Sequence, residues 1–507
     1  MALGGTLSVA LVGMVGHVVE VEAHLAAALP AFTLVGLPDT SLAESRDRVR
    51  AAVTSSGLTW PNRRVTVNLS PATLPKSGSG FDLAIAVAAL AGAGVVDPER
   101  VRGVVHLGEL GLDGRLRPVR GVLPAVVAAV AAGRPRVVVP EASVAEAALV
   151  PGARVHGART LAHVLAAHGA DVEVPDVAPT APEPVAASPA AVVPDLADVV
   201  GQDEARLCLE VAAAGGHHLL MVGPPGTGKT MLASRLPGLL PDLTEDEAVE
   251  VTAIHSVAGT FDAGEGLLRR PPYEDPHHTA TPASVIGGGS GVPRPGAASR
   301  AHLGVLFLDE APEFTTAVLQ TLRQPLEHGE LVLHRAQGTA RYPARFQLVL
   351  AANPCPCGMA VGKGLACTCR PEQRRRYLGK LSGPLLDRVD LQVELQPSRA
   401  TDASGEPTRL VARRVADART AQAERFAGLP WRTCAQAPGP WLRERLGPDR
   451  ALVADLDRAV DRGTLSRRGA DRVLRVAWTL ADLAGRTAPG RTEVGRALAL
   501  RTRGRGA

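Results

Sequence analysis

Aromatic side chains are scarce: seven Phe, four Trp and three Tyr make up 3% of the 507 residues. A hydrophobic core must therefore be built from Ala, Val and Leu, and no aromatic stacking platform for nucleic-acid bases is visible. Lysine is scarcer still. Of 55 Lys+Arg residues only Lys76, Lys229, Lys363 and Lys380 are lysines, so a lysine kept in such a chain marks a position that needs a compact ammonium. No Lys or Arg precedes Arg46, which denies the fairly apolar segment Leu7 to Val19 the basic flank of a signal peptide. No apolar run of about eighteen residues occurs either. A soluble cytoplasmic protein without a membrane span is the expectation.

What is present is globular in composition, 46% hydrophobic and 21% charged. The length exceeds what one core organises, and roughly two to four domains are expected. Net charge is +4, but from Arg370 onward 28 Lys+Arg face 16 Asp+Glu, a surplus of +12 that leaves −8 for the rest. Two readings stand: arginine-rich helices solvated on one face, or a basic surface for nucleic-acid phosphates.

Residues 1–170 alternate short apolar strands (VTVNLS, GVVHLGEL, RVVVP) with alanine-rich helical stretches such as Phe81 to Ala93, giving an α/β domain. Residues 171–194 are rich in Pro and Ala with scattered acids, which cannot bury a core and read as an extended linker. A second α/β domain spans 195–396, and an arginine-rich helical domain spans 397–507.

The second domain carries the chemistry. Gly223, Pro224, Pro225, Gly226, Thr227, Gly228, Lys229 and Thr230 spell GPPGTGKT after the apolar run HLLMV. This matches the Walker A loop, in which backbone N–H groups cradle phosphate oxygens at a helix N-terminus. Lys229 supplies a point charge for the β/γ-phosphates of ATP and Thr230 a hydroxyl for Mg²⁺. A plain glycine turn after a strand is the competing reading, and VLFLDE, ending in Asp309 and Glu310, weighs against it. Two carboxylates closing a buried apolar strand are costly unless they act. Asp309 is suited to hold Mg²⁺ and Glu310 to polarise the attacking water. LVLAAN ends in Asn353, read as a water-orienting sensor, with a turn residue before Pro354 as the alternative. Arg388 in LLDRVD, and Arg467 and Arg468 at a helix start, are candidates to stabilise charge on the transferring phosphoryl group.

The segments PGTGKTMLASRLPGLLPDLTEDEAVEV, HSVAG, PHHTAT, VIGGGSGVPRPGAASRAHLGVLFLDEAPEF, LAANPCPCG and RRYLGKLSGPLLDRVDL closely resemble the magnesium-chelatase-like AAA+ family of the YifB/ComM type. The resemblance covers nearly the whole chain. It implies a P-loop AAA+ core with a C-terminal helical lid, active as a ring, a hexamer, on ATP and Mg²⁺. By position, Arg388 matches the arginine finger acting on a neighbouring subunit and Arg468 the lid sensor, with Arg467 adjacent. Gly287 to Ser290, with Pro276 to His278, fall on an insertion facing the pore, and the histidine pair is assigned a structural role. In the first domain, LVGLPDTSLAESRDRVRAAVTSSGL, PKSGSGFDLAIAVAAL and HLGELGLDGRLRPVRGVLPA resemble the proteolytic domain of Lon. Gly80 and Leu123 stand where that family has its Ser–Lys dyad, so a non-proteolytic Lon-type α/β domain is implied.

Cys355, Cys357, Cys367 and Cys369 form CxC-x9-CxC, which reads as a soft-metal site, most simply tetrahedral structural Zn²⁺. Free thiols at a sharp turn are the alternative.

For function, the family resemblance implies a DNA motor of helicase or branch-migration type in recombination or uptake of DNA. The alternative is a chelatase-type ATPase subunit that drives metal insertion through a partner. The missing dyad disfavours a protease. Arg501 and Arg503 are expected to be exposed basic residues available to DNA.

Overall fold

The computed structural model describes residues 2–36, 39, 42, 44–76, 78–180, 194–289, 293–335, 338–360, 365–381, 383–397, 405–446 and 453–502. Ser77, Ser290, Lys363, Arg503 and linker residues 181–193 lie outside these. Residues 171–180 carry no helix or strand.

The chain opens on a hairpin, Ala2–Val12 against Val15–Ala26. In its second strand buried and exposed residues largely alternate, the period of a sheet with one covered face. A seven-stranded sheet grows from it in the order Ala31–Val35, Arg64–Ser70, Val15–Ala26, Ala2–Val12, Val105–His106, Arg136–Pro140, Arg154–Ala158. The helix Asp82–Gly92, DLAIAVAALAG, is buried along its whole length against this sheet. Small alanines let it approach closely where aromatics would not fit.

The second sheet has five parallel strands in the order Tyr273–Glu274, Val305–Leu308, Gln347–Ala352, Leu219–Val222, Leu391–Glu394. VLFL and QLVLAA are buried at every position, as expected of parallel strands covered on both faces. One face packs on the helix Asp203–Gly215 and on the C-terminal helices, and Leu209, Leu219, Val349, Leu391, Val415 and Leu474 belong to one core. The other face is covered by Val285, Ala298, Phe314 and Leu319. The C-terminal helices are Thr408–Arg425, Gly439–Glu444, Ala454–Asp461, Arg467–Leu483 and Arg491–Thr502, and they share their core with the second sheet.

A buried polar node fixes that junction. Asp390 Oδ1 accepts from Arg472 Nη1 at 2.5 Å and its Oδ2 lies 3.2 Å from His217 Nδ1. His217 Nε2 is 2.8 Å from Thr479 Oγ1. The exposure expected of Arg501 is not found: it is 2% exposed, and its Nη1 donates to the Val389 carbonyl at 2.6 Å. On the helix Arg491–Thr502 it shares the buried stripe of Glu493, Val494, Ala497 and Leu500.

The N-terminal unit sits on the long helix Glu245–Ala258, started by a capping box between Thr244 and Glu247. Ala253 joins Val122, Val126 and Ala129 in one apolar cluster. Ser256 Oγ donates to Glu146 Oε1 at 2.5 Å, and Leu123 N donates to the same oxygen at 2.8 Å. Among the described residues no helix is long and apolar enough to cross a membrane.

His218 is partly buried, and its Nδ1 accepts the Leu348 N–H at 2.9 Å. Burial holds its pKa down to about 4, and the same cause holds His106 in the first sheet at about 3. A histidine depressed in the folded state contributes stability that is complete above its unfolded value, about 6.5, and is lost as pH falls through the folded value. Stability should therefore drop between pH 6.5 and 4, with His218 alone accounting for about 3 kcal/mol. Urea midpoints followed by tryptophan fluorescence test this, and His218→Gln should remove its share. A midpoint constant across that range would contradict the assignment.

Candidate functional site

All five strands of the second sheet run parallel, so their carboxyl ends share one edge, the usual place for a ligand in such sheets. GPPGTGKT leaves Leu219–Val222 there, VLFLDE leaves Val305–Leu308 there, and Asn353 directly follows Gln347–Ala352. Gly226 and Gly228 have φ of +77° and +88°, values that L side chains resist, so the loop turns its N–H groups inward at the start of Lys229–Ala233.

Lys229 Nζ donates to Gly223 O at 2.7 Å, Pro224 O at 2.9 Å and Asn353 Oδ1 at 3.1 Å. Burial pulls its pKa down, while the charges of Asp309 and Glu310 oppose that pull. Thr230 Oγ1 donates to Asp309 Oδ2 at 2.6 Å. The geometry thus joins Lys229, Asn353, Thr230 and Asp309 across three strand ends. A hydroxyl beside a carboxylate is the hard-oxygen donor set that Mg²⁺ prefers. The backbone cradle and ammonium fit a triphosphate.

Glu310 adopts φ +49°, a left-handed conformation for a side-chain-bearing residue, and its N–H donates to Asp309 Oδ1 at 2.9 Å. Its carboxylate reaches His278, with Oε2 to Nδ1 3.4 Å. His277 and His278 stack with ring centroids 4.1 Å apart. His278 touches the acid, a contact that no spacing signal announces because the two are thirty-two residues apart.

Arg388 lies elsewhere in the same unit. It pairs with Glu327, and burial followed by the charges of Arg323, Arg472 and Arg468 lowers its pKa. Arg468, exposed at the first turn of Arg467–Leu483, is therefore in the electrostatic company of Arg388. Arg467 is exposed beside it. The insertion appears as a two-stranded ladder, Gly287–Gly288 with Arg294–Pro295.

The four cysteines converge. Cys355 Sγ is 3.3 Å from Cys357 Sγ and 3.6 Å from Cys367 Sγ, Cys357 and Cys367 are 3.6 Å apart, and all four sulfurs lie within 4.8 Å of one another. The Met359 backbone N–H draws the Cys357 thiol down to about 6, whereas burial pushes Cys355 up. In the first unit, Gly80 brings no side chain and Leu123 is buried, while Lys76 is buried with its ammonium on the Pro71 carbonyl and Ser79 donates to Glu109.

The strand order and the P-loop edge define a P-loop AAA+ core with a helical C-terminal region. Comparison with known proteins agrees. Residues 195–403 match the family described as magnesium chelatase, subunit ChlI; residues 21–143 match subunit ChlI of Mg-chelatase, and 405–501 its C-terminal region. An uncharacterized protein of Mycobacterium tuberculosis is 54% identical over 99% of both chains. YifB of Escherichia coli is 40% identical over 94% of this chain and 92% of its own, and the competence protein ComM of Haemophilus influenzae is 39% identical over 96% and 94%. The chain belongs to this magnesium-chelatase-like AAA+ family, alongside YifB and ComM.

Gly358, with φ +76°, lies against the P-loop: a Cβ there would stand 2.6 Å from Pro225 Cδ. Gly358→Ala should cost about 2–3 kcal/mol, left-handed strain plus contact. Gly463→Ala, at φ +68° with nothing within 4 Å, should cost only about 1 kcal/mol. Thermal melting compares the two, and equal losses would show that Pro225 yields freely.

Proposed function

We propose that this protein is an ATP-hydrolysing AAA+ motor that works as a ring, hexameric, on DNA. The observation that carries the ATPase reading is the Lys229, Asn353, Thr230 and Asp309 hydrogen-bond network at one sheet edge. Lys229 and the loop N–H groups would hold the phosphates, Thr230 and Asp309 would hold Mg²⁺, and Glu310 would take the proton of the attacking water with Asn353 orienting it. Bound Mg²⁺ supplies neutralisation of phosphate charge. Arg388 and Arg468, clustered with Arg323 and Arg472, suit the developing charge on a neighbouring subunit's nucleotide. The domain division is read as a Lon-like unit over 1–170, a linker over 171–194, the ATPase core over 195–396 and the lid over 397–507. The grouped thiols are read as a structural zinc site, and a cytoplasmic location suits them.

The DNA part rests on less: the basic C-terminal third and the likeness to a protein named for competence. The second reading, a chelatase-type subunit acting on a metal-insertion partner, is favoured by the family descriptions themselves.

Lys229→Ala should abolish tight ATP binding, whereas Glu310→Gln should bind normally and stop turnover, because the lysine meets ground-state phosphates and the glutamate acts in the chemical step. Arg388→Ala should bind but not hydrolyse, and mixing it with Lys229→Ala should restore part of the activity at interfaces that carry both intact groups. Equal affinity losses in the first pair, or no recovery in mixed rings shown to form, would contradict these roles.

DNA binding should be independent of sequence, strengthened by ATP in Glu310→Gln, and log-linear in salt, with a slope of about −0.7 to −0.9 per neutralised phosphate. Arg375 and Arg376 are exposed on the helix Pro371–Gly379, and reversing both charges should weaken binding. Binding assays with single-stranded, duplex and forked DNA decide. No binding at low salt by the ATP-trapped ring would promote the chelatase-like reading.

A further inference from the structure

We infer that Cys355, Cys357, Cys367 and Cys369 form a zinc clip that shapes the nucleotide edge, so that Zn²⁺ and MgATP bind this chain cooperatively. The inference rests on reading the P-loop as an ATP site.

A tetrahedral Zn²⁺ with sulfur at about 2.3 Å has sulfur–sulfur edges of about 3.8 Å. The observed 3.3, 3.6 and 3.6 Å separations, with all four sulfurs within 4.8 Å, need little adjustment to meet that. Four thiolates are a soft set that selects Zn²⁺ over Mg²⁺. The segment also lacks another reason to be ordered. Among the described residues from Pro354 to Arg370, Cys355 is the only buried hydrophobic side chain, while Met359 is 50% and Leu365 92% exposed. A loop with no core of its own takes its folding energy from the metal.

Three parts of the nucleotide edge are tied to this loop. Cys355 follows two residues after Asn353, the acceptor of the Lys229 ammonium. Gly358, next to Cys357, backs directly on Pro225. After Cys369, whose carbonyl accepts from Arg374 Nε at 3.2 Å, the helix Pro371–Gly379 leads to Lys380, 3.9 Å from Glu313 in the turn that follows Glu310. Closing the four sulfurs on one ion therefore fixes the spacing of the sensor, the P-loop and the turn after the acid. Linkage then requires reciprocity: if zinc tightens MgATP, MgATP tightens zinc by the same factor.

The test uses full-length protein purified without chelator, assayed for metal, stripped with a thiol-competing chelator and reloaded with Zn²⁺. About one Zn²⁺ per chain is expected, and Co²⁺ in its place should give the visible absorption of a tetrahedral thiolate site. Stripping should weaken binding of a non-hydrolysable MgATP analogue on the order of tenfold, reversibly, and the analogue should tighten Zn²⁺ to the same extent. Amide exchange should rise in residues 223–230 and 347–358. Cys357→Ser with Cys369→Ser should lose the metal and gain nothing from added Zn²⁺. No metal and no cobalt absorption would overturn the clip. Metal whose removal leaves analogue affinity and P-loop exchange unchanged, or raises exchange throughout the chain, would overturn its coupling to this edge. Should loaded protein bind no MgATP, the ATP reading fails by itself, and metal content with P-loop exchange still decides the clip.

Discussion

The buried carboxylate of Asp390 is the contact on which the arrangement of the P-loop unit depends. Its charge is offset by Arg472 from the helix Arg467–Leu483, and it accepts a hydrogen bond from His217 in the residues that lead into the P-loop strand. Burial alone would raise its pKa, yet the hydrogen bond from His217 and the charge of Arg472 hold the carboxyl far below the usual range. Removing one partner from such a group costs about 3–5 kcal/mol, because the remaining charge is left in a dry interior. The Asp390 and Leu391 N–H groups both donate to the His218 carbonyl. One residue therefore sets the register of the edge strand, the seat of the lid helix and, two positions earlier in the chain, the location of Arg388.

That placement separates two charge groups within one chain. Lys229 feels Asp309 and Glu310, whereas Arg388 feels three other arginines. Clustered guanidiniums repel one another and are stable only with anions nearby; within the chain Glu327 serves Arg388. Arginine is suited to such a surface because it stays charged and presents a planar fork to phosphate oxygens. A lysine suits the interior of the loop for the opposite reason. Its compact head is turned by three acceptors at 2.7 to 3.1 Å, a geometry that a guanidinium would overfill.

The sequence made the P-loop edge legible because its signals are local: a glycine turn at fixed spacing, and apolar runs ending in polar residues. LLMV, VLFL and QLVLAA became the central strands at the expected positions. The N-terminal hairpin was less legible, since Leu7 to Val19 was read only as an apolar segment, although it spans the turn between two long strands. Contacts between distant segments were not legible at all. His217 and Asp390 are 173 residues apart, and nothing in the sequence around His278 points to its contact with Glu310. The burial of Arg501 is not legible either, because composition reports charge and not the face of a helix. The cysteine pattern announced convergence, but its attachment to Pro225 through Gly358 appears only in three dimensions.

Glu310 shows how these parts meet. A left-handed backbone at a residue with a side chain costs on the order of 1 kcal/mol and persists only where its surroundings hold it. Here the Asp309 carboxylate accepts its N–H and His278 holds its carboxylate from the loop that precedes the Gly287–Gly288 ladder. The turn after Glu310 reaches, through Glu313 and Lys380, the end of the helix that follows the cysteine-bounded segment. Glu310 is thus restrained by two irregular segments rather than by the sheet. The regular structure supplies a rigid edge at the glycine loop, while the position of the Glu310 carboxylate is left to the irregular segments around it.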